Sequence, residues 1–355
     1  MPKNVVVCCD GTREQFGTVN TNVVHLFEAL QRRAGGQEAF YDPGVGTFAP
    51  RILGFPLGRF LGKLLGSAFG YGMRHNLEDA YRFLMETWEP GDRVYLFGFS
   101  RGAFTARSLA AMLDKCGLLR PHHENLLPYA SRLFLKSGNG NEAADFRRTF
   151  ARECRPHFVG VWDTVGSLGW LVPLRRLHDS RLSPAVSIAC QALAIDEKRR
   201  GFAPVPWDEA HLRPHQSVEQ VWFAGVHCDV GGGYRERGLA DLSLRWMLDH
   251  ARQAGLCLAP GARDRLDGDP CGRLHRSWKG WWRLLGTYVR PIARDAQIHP
   301  TVWTRAEAGI GYAPANLPRI AGARARPHAP GWPGRDGSGG RREDGTPSRR
   351  TRSDY

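Results

Sequence analysis

The run Val94-Tyr95-Leu96-Phe97-Gly98-Phe99-Ser100-Arg101-Gly102-Ala103 constrains the fold of this 355-residue chain more than any other stretch. Its apolar residues from Val94 to Phe97 follow the turn signal Pro90-Gly91-Asp92, as a strand buried on both faces does. Ser100 comes next, with a glycine two residues away on either side. Beyond it Phe104, Ser108, Leu109, Met112 and Leu113 recur at helical spacing. A strand, a sharp turn carrying Gly-x-Ser-x-Gly and a helix make a nucleophile elbow, in which the glycines let the chain bend tightly enough to raise a serine oxygen above the sheet. In a chain with 42 glycines the pentad would occur by chance roughly 0.2 times. Its place at a strand-to-helix junction is what weighs against a plain serine in a glycine-rich turn.

Strands and helices alternate around the elbow. Asn4 to Cys9 reads as a strand ending at Asp10-Gly11-Thr12, and Asn20-Thr21-Asn22 caps a helix with Val23, Val24, Phe27 and Leu30 on its apolar face. Glu38 to Tyr41 reads as a second strand, Arg74 to Trp88 as a helix, and Glu124 to Cys154 as helical with a break at Gly138-Asn141. His157 to Trp162 is a strand ending at Asp163, Val186 to Arg200 reads as a helix, Val221 to Val226 as a strand ending at His227, and Leu239 to Ala254 as a helix. The expected class is α/β, α/β-hydrolase-like: a mostly parallel central sheet with helices on both faces and helical insertions.

Two stretches break the rhythm. Glycine recurs at every fourth position from Gly54 to Gly70, which suits either a helix with a small-residue stripe or a packed connection under the sheet. Each glycine weakens a helix by about 1 kcal/mol relative to alanine, so the connection is the favoured reading. The second is a basic, Trp-rich insertion near residues 260–292, with Trp278, Trp281 and Trp282 beside Lys279 and Arg283. Tryptophan and cations suit an anionic membrane surface, while a helix docked on the core is an equal alternative. Residues 1–321 are read as one catalytic domain. Residues 322–355, rich in Arg, Gly and Pro, lack the apolar content to offset ordering entropy and read as a disordered tail.

A formal charge of +14 invites an anionic partner. Much of it sits in the tail and the late basic segment, and no nucleic-acid-binding motif accompanies it, so nucleic acid is disfavoured. The eight cysteines form no C-x-x-C pair or Cys/His ladder, so neither a metal nor any other cofactor is expected. No charged-then-apolar leader opens the chain and no apolar run reaches membrane length, which makes the cytoplasm of the producing cell the expected location.

A serine alcohol needs a base within hydrogen-bond reach, itself held by an acid. Asp163 and His227 each end a strand after the elbow, and the order Ser100, Asp163, His227 is the one an α/β-hydrolase uses. Rivals stand beside both: His299 as base, Asp229 and Asp196 as acid, and a helix-capping role for Asp163. Two backbone N–H groups must hold the oxyanion; Arg101 follows the nucleophile, and the turn after the first strand offers Gly11 or Thr12. Asp10 alternatively suits a metal ligand or a phosphotransfer nucleophile, and with Asp229 and His299 it makes up a candidate secondary site.

Several motifs together resemble one family. They are Asp10-Gly11-Thr12, Tyr41-Asp42-Pro43-Gly44-Val45-Gly46-Thr47, Gly98-Phe99-Ser100-Arg101-Gly102-Ala103, Gly160-Val161-Trp162-Asp163-Thr164-Val165-Gly166, Ala194-Ile195-Asp196-Glu197, Trp222 to Tyr234 with its His227-Cys228-Asp229-Val230-Gly231-Gly232-Gly233 core, and Ile298-His299-Pro300-Thr301-Val302. From about Val5 to Leu317 the chain resembles the uncharacterised α/β-hydrolase domain family that includes the catalytic domain of type VI secretion phospholipase effectors. The resemblance implies a Ser-Asp-His triad of Ser100, Asp163 and His227, a lipid or acyl-ester substrate, and a serine esterase of phospholipase A or lipase type. It also implies export by a contractile secretion system, although this chain is read as departing from the effectors in having no sizeable C-terminal membrane-anchoring module. The alternative is a catalytically inert hydrolase fold that binds anionic surfaces or nucleic acid through its basic regions.

Overall fold

The first strand, β1 (Asn4–Cys9), is buried along its whole length and stands second from one edge of the seven-stranded sheet. Its residues alternate between two apolar layers, because successive side chains of a strand point to opposite faces. Val5, Val7 and Cys9 join one layer, and Val6 and Cys8 are as deeply buried on the other side. A strand apolar on both faces belongs in a parallel sheet covered by helices on both sides. The computed structural model describes residues 2–11, 19–31, 36–44, 60–136, 140–166, 181–280, 283 and 286–317.

Within those residues the chain runs through β1, α1 (Asn22–Ala29), β2 (Gln37–Asp42), α2 (Phe60–Thr87), β3 (Arg93–Phe99) and α3 (Arg101–Cys116). A short antiparallel pair, β4 (Leu118–Leu119) and β5 (Ala151–Arg152), brackets the helical insertion of α4 (Leu127–Leu135) and α5 (Gly140–Phe150). Then come β6 (Pro156–Trp162), β7 (Ile188–Ala194), β8 (Ser217–Phe223), α6 (His227–Gly231), α7 (Gly238–Gln253), β9 (Gln297–Ile298) and α8 (Pro300–Glu307). The main sheet has seven strands in the order β2-β1-β3-β6-β7-β8-β9, and every neighbouring pair is parallel. Helices α2 and α3 cover the layer of Val5, Val94, Leu96 and Val159. On the other face Met247 of α7 lies where a Cβ on Gly160 would stand.

Two sequence expectations change. Val186 to Arg200 was expected to be helical, yet Ile188–Ala194 is β7, paired with β6 and β8. Its alanines favour a helix by propensity, but a run buried on both faces has no period that separates a helix from a central strand, and pairing decides. The glycine-spaced stretch was expected to be a connection, but from Phe60 onward it is the first part of α2, continuous with the helix expected from Arg74. Gly54 and Gly58 lie outside the described residues, as does the tail from 322. Near the basic segment, the described residues between Pro270 and Ala296 hold no α-helix.

The parallel order places every strand's carboxyl end on one edge. The chain steps from β1 to β2 on one side and then to β3 on the other, so the order reverses between β1 and β3, where open α/β sheets bind ligands. The elbow sits there. A Cβ on Gly98 would meet the Gly102 carbonyl and the Ala103 amide, and one on Gly102 would overlap the carbonyl oxygens of Cys9 and Asp10. Both glycines are thus required by close approach between the start of α3 and the ends of β3 and β1. Gly231 is tighter still, since a Cβ there would fall within the Phe99 ring. Gly231→Ala is expected to cost about 1–3 kcal/mol by overpacking, read as a lower urea midpoint at unchanged m value.

Candidate active site

Three of the residues singled out in the sequence converge on this edge. Ser100 lies between β3 and α3 with φ 57° and ψ −116°, a conformation that a non-glycine residue adopts only when its surroundings impose it. Its amide donates to the carbonyl of Trp162 at 3.0 Å, which sets it beside the end of β6. Asp163, the residue that follows that strand, is fully buried and also has positive φ, 38°. His227 opens α6 beyond β8, and its ring packs on Phe99, the neighbour of Ser100, with centroids 4.6 Å apart.

The imidazole of His227 meets the carboxylate of Asp163, Nδ1 to Oδ2, at 2.6 Å. Asp163 therefore does not cap a following helix. Its Oδ1 accepts the Ala194 amide at 3.0 Å, and the guanidinium of Arg290 grips both of its oxygens, at 2.6 Å and 2.9 Å. Burial alone would raise the Asp163 carboxyl; Arg290 first and then His227 outweigh it and hold the group well below the ordinary carboxylate range. An ionised carboxylate only accepts, so Nδ1 of His227 carries the proton and Nε2 is left with a lone pair. Burial lowers the affinity of His227 for a second proton, and Asp163 only partly restores it.

The rival partners are engaged elsewhere. Asp229 accepts Nδ1 of His275 at 2.6 Å and the amide of Val226 at 3.0 Å. Asp196 accepts the Gly225 amide and the Tyr312 hydroxyl. His299 caps α8, stacks on Phe223 with centroids 4.5 Å apart and meets the Thr301 hydroxyl through Nδ1. Asp229 and His299 are thus each held by partners of their own.

The oxyanion candidates divide. Arg101 is the first residue of the 16-residue α3, where the N–H groups and the helix dipole favour negative charge. The Gly11 amide, by contrast, donates to its own neighbour's Oδ1, on Asp10, at 2.7 Å. In this structure it is not aimed at an oxyanion, and Thr12 lies outside the described residues. The second oxygen of Asp10 accepts the hydroxyls of Thr21 at 2.6 Å and Tyr41 at 2.8 Å. Burial pushes this carboxyl up to about 6 against those hydrogen bonds. Asp10 thus orders the turn after β1.

Sequence reasoning missed two side chains. Arg290 stands in Tyr288-Val289-Arg290-Pro291, where nothing local separates it from the other arginines of a basic segment. Glu197 was visible only as part of Ala194-Ile195-Asp196-Glu197. It is buried, gripped by Arg199 at 2.9 Å on each oxygen, and accepts the His227 amide at 3.3 Å and the Ser277 hydroxyl at 2.8 Å. Of the tryptophans, Trp278 is half-buried, donates to the Gly286 carbonyl and lies under Arg283, whereas Trp281 and Trp282 are outside the described residues. No group of three or more His, Cys, Asp or Glu that could hold a metal ion occurs among the described residues. No helix among them is long and apolar enough to cross a membrane.

Residues 3–250 match the family described as T6SS, Phospholipase effector Tle1-like, catalytic domain. The chain belongs to this family. The Tle1-like match contains Ser100, Asp163 and His227 and stops before Arg290. An uncharacterized protein of Saccharomyces cerevisiae is 35% identical over 58% of this chain and 33% of its own length. The crystal structure of an uncharacterized protein from Pseudomonas aeruginosa superposes with a TM-score of 0.45 at 18% identity, over 76% of this chain and 49% of that one. The chain thus spans about a third of the first and about half of the second.

Because the folded Asp163 carboxyl is held low, its stabilising effect is complete above the unfolded value of about 4 and is lost only as pH falls below it. Asp163→Asn, which leaves the Arg290 charge buried without a partner, is expected to cost about 3–5 kcal/mol in urea unfolding at pH 7. The same deficit is expected at pH 5.

Proposed function

We propose that the chain is a serine hydrolase of carboxylic esters, a phospholipase A or lipase-type acyl hydrolase. The observation that carries this is the 2.6 Å bond between His227 and the buried Asp163, made on the sheet edge where the strained elbow holds Ser100. Membership of a phospholipase effector family supports a lipid or acyl-ester substrate.

In this mechanism Ser100 Oγ attacks the acyl carbonyl as His227 Nε2 takes its proton. The charge on the carbonyl oxygen is met by the Arg101 amide at the head of α3. The His227 proton then passes to the leaving alcohol, whose bond to the acyl carbon breaks. Water repeats the sequence on the acyl-enzyme, releasing the carboxylic acid and restoring Ser100. Asp163 stays ionised throughout, fixing the tautomer and ring direction of His227 and stabilising the imidazolium as it forms.

The test is fatty-acid release from phosphatidylglycerol vesicles. Wild type is expected to release it, and Ser100→Ala to lower kcat by about 10⁴-fold or more; equal rates would remove the proposal. Because burial lowers the pKa of His227, the acid limb of kcat/KM is expected below the ordinary value of 6.5. Activity then falls only as pH drops through that lower value, which a pH profile from 4 to 8 reads directly.

A further inference from the structure

Among the described residues Arg290 is the largest charged side chain with no solvent exposure, and it comes from outside the family match. Four hydrogen bonds hold its guanidinium. Two go to the oxygens of Asp163, and the others go to the carbonyls of Ala194, at 2.8 Å from Nη1, and Phe202, at 2.6 Å from Nη2. Its backbone is fixed as well. Thr287 bridges to Arg199, the Tyr288 amide donates to the Lys198 carbonyl at 2.9 Å, and Asn316 Nδ2 ties the carbonyls of Arg290 and Ile195, each at 3.1 Å. The segment from Thr287 to Asn316 is therefore fastened to the end of β7, and it delivers one cation to one carboxylate.

That carboxylate is shared. Oδ2 of Asp163 accepts from His227 Nδ1 and from Arg290 Nη2 at once, while Oδ1 takes Arg290 Nη1 and the Ala194 amide. A carboxylate held by a two-pronged guanidinium cannot rotate, so the oxygen offered to His227 has a fixed place. The guanidinium also sets a positive charge against the carboxylate that His227 meets. The other charged groups facing His227 repeat the pattern: Glu197 accepts its amide and is paired with Arg199. Asp229, two residues on, is turned to His275.

We propose that Arg290 is a positioning residue for the hydrolysis: by holding both oxygens of Asp163 and sharing its charge, it fixes the carboxylate against His227 and keeps the imidazole a free base. The active site consequently includes the segment that follows the family match. This rests on the assignment of Ser100, Asp163 and His227 as the reacting set.

The test uses the full chain as wild type, Arg290→Met and Arg290→Lys, with two readouts. One is the titration of the His227 ring by NMR, assigned with His227→Gln; the other is kcat and KM for ester hydrolysis. With Arg290→Met the Asp163 charge faces His227 alone, so the His227 titration is expected to move up by about one pH unit. Loss of alignment is expected to lower kcat by about 10–100-fold with KM unchanged. Arg290→Lys restores the charge but not the two-pronged grip, so the titration returns towards the wild-type value while kcat stays at least about 10-fold low. If Arg290→Met does not fold, the Arg290→Lys pair of readouts decides. An unmoved His227 titration in a folded Arg290→Met, or a full kcat in Arg290→Lys, overturns the proposal. Wild type that hydrolyses no ester fails the proposed function instead, and the titration tells the two failures apart.

Discussion

One buried carboxylate organises the candidate site. Asp163 has no contact with water, and an ionised carboxylate in such a place is tolerable only if its charge and lone pairs are met. They are met from three directions: the β7 amide of Ala194, the imidazole at the head of α6 and the guanidinium of Arg290. Remove the carboxylate and all three lose the partner that justifies their burial. The end of β6, the end of β7, the start of α6 and the segment around Arg290 are thus coupled through one functional group.

The elbow depends on a different constraint, which is space. Gly102 lies against the carbonyl oxygens at the end of β1, and Gly44 against those of Asp10 and Gly11. Three chain segments meet so closely at the reversal of strand order that only glycine fits. The close packing explains why Ser100 can be held at positive φ, since the flanking backbone is too well determined to relax. It also explains why Asp10 is buried beside the site, where it bonds the Gly11 amide and the Thr21 and Tyr41 hydroxyls and so stiffens the turn.

The parts of this arrangement written in local patterns were legible in the sequence. The elbow is a pentad at a change of period, and Asp163 and His227 are polar residues immediately after apolar runs, which is how a strand's carboxyl end reads. What was not legible depends on partners distant in the chain. Ile188–Ala194 looks helical until β6 and β8 claim it, because alanine suits both a helix and a crowded central strand. The glycines of α2 lower its helix propensity, yet the helix runs through them. Arg290 lies 127 residues from Asp163, and no spacing rule joins them. Gly11 fits an oxyanion turn by residue type, yet its amide had a nearer acceptor one residue away.

The central claim is that Ser100 is a nucleophile activated by His227. Mass spectrometry of the intact chain after exposure to a fluorophosphonate, followed by peptide mapping, tests it most directly. The account predicts a single adduct on the peptide containing Ser100 in wild type, and its loss in folded His227→Ala. No adduct on Ser100, or labelling at an undiminished rate without His227, would contradict it.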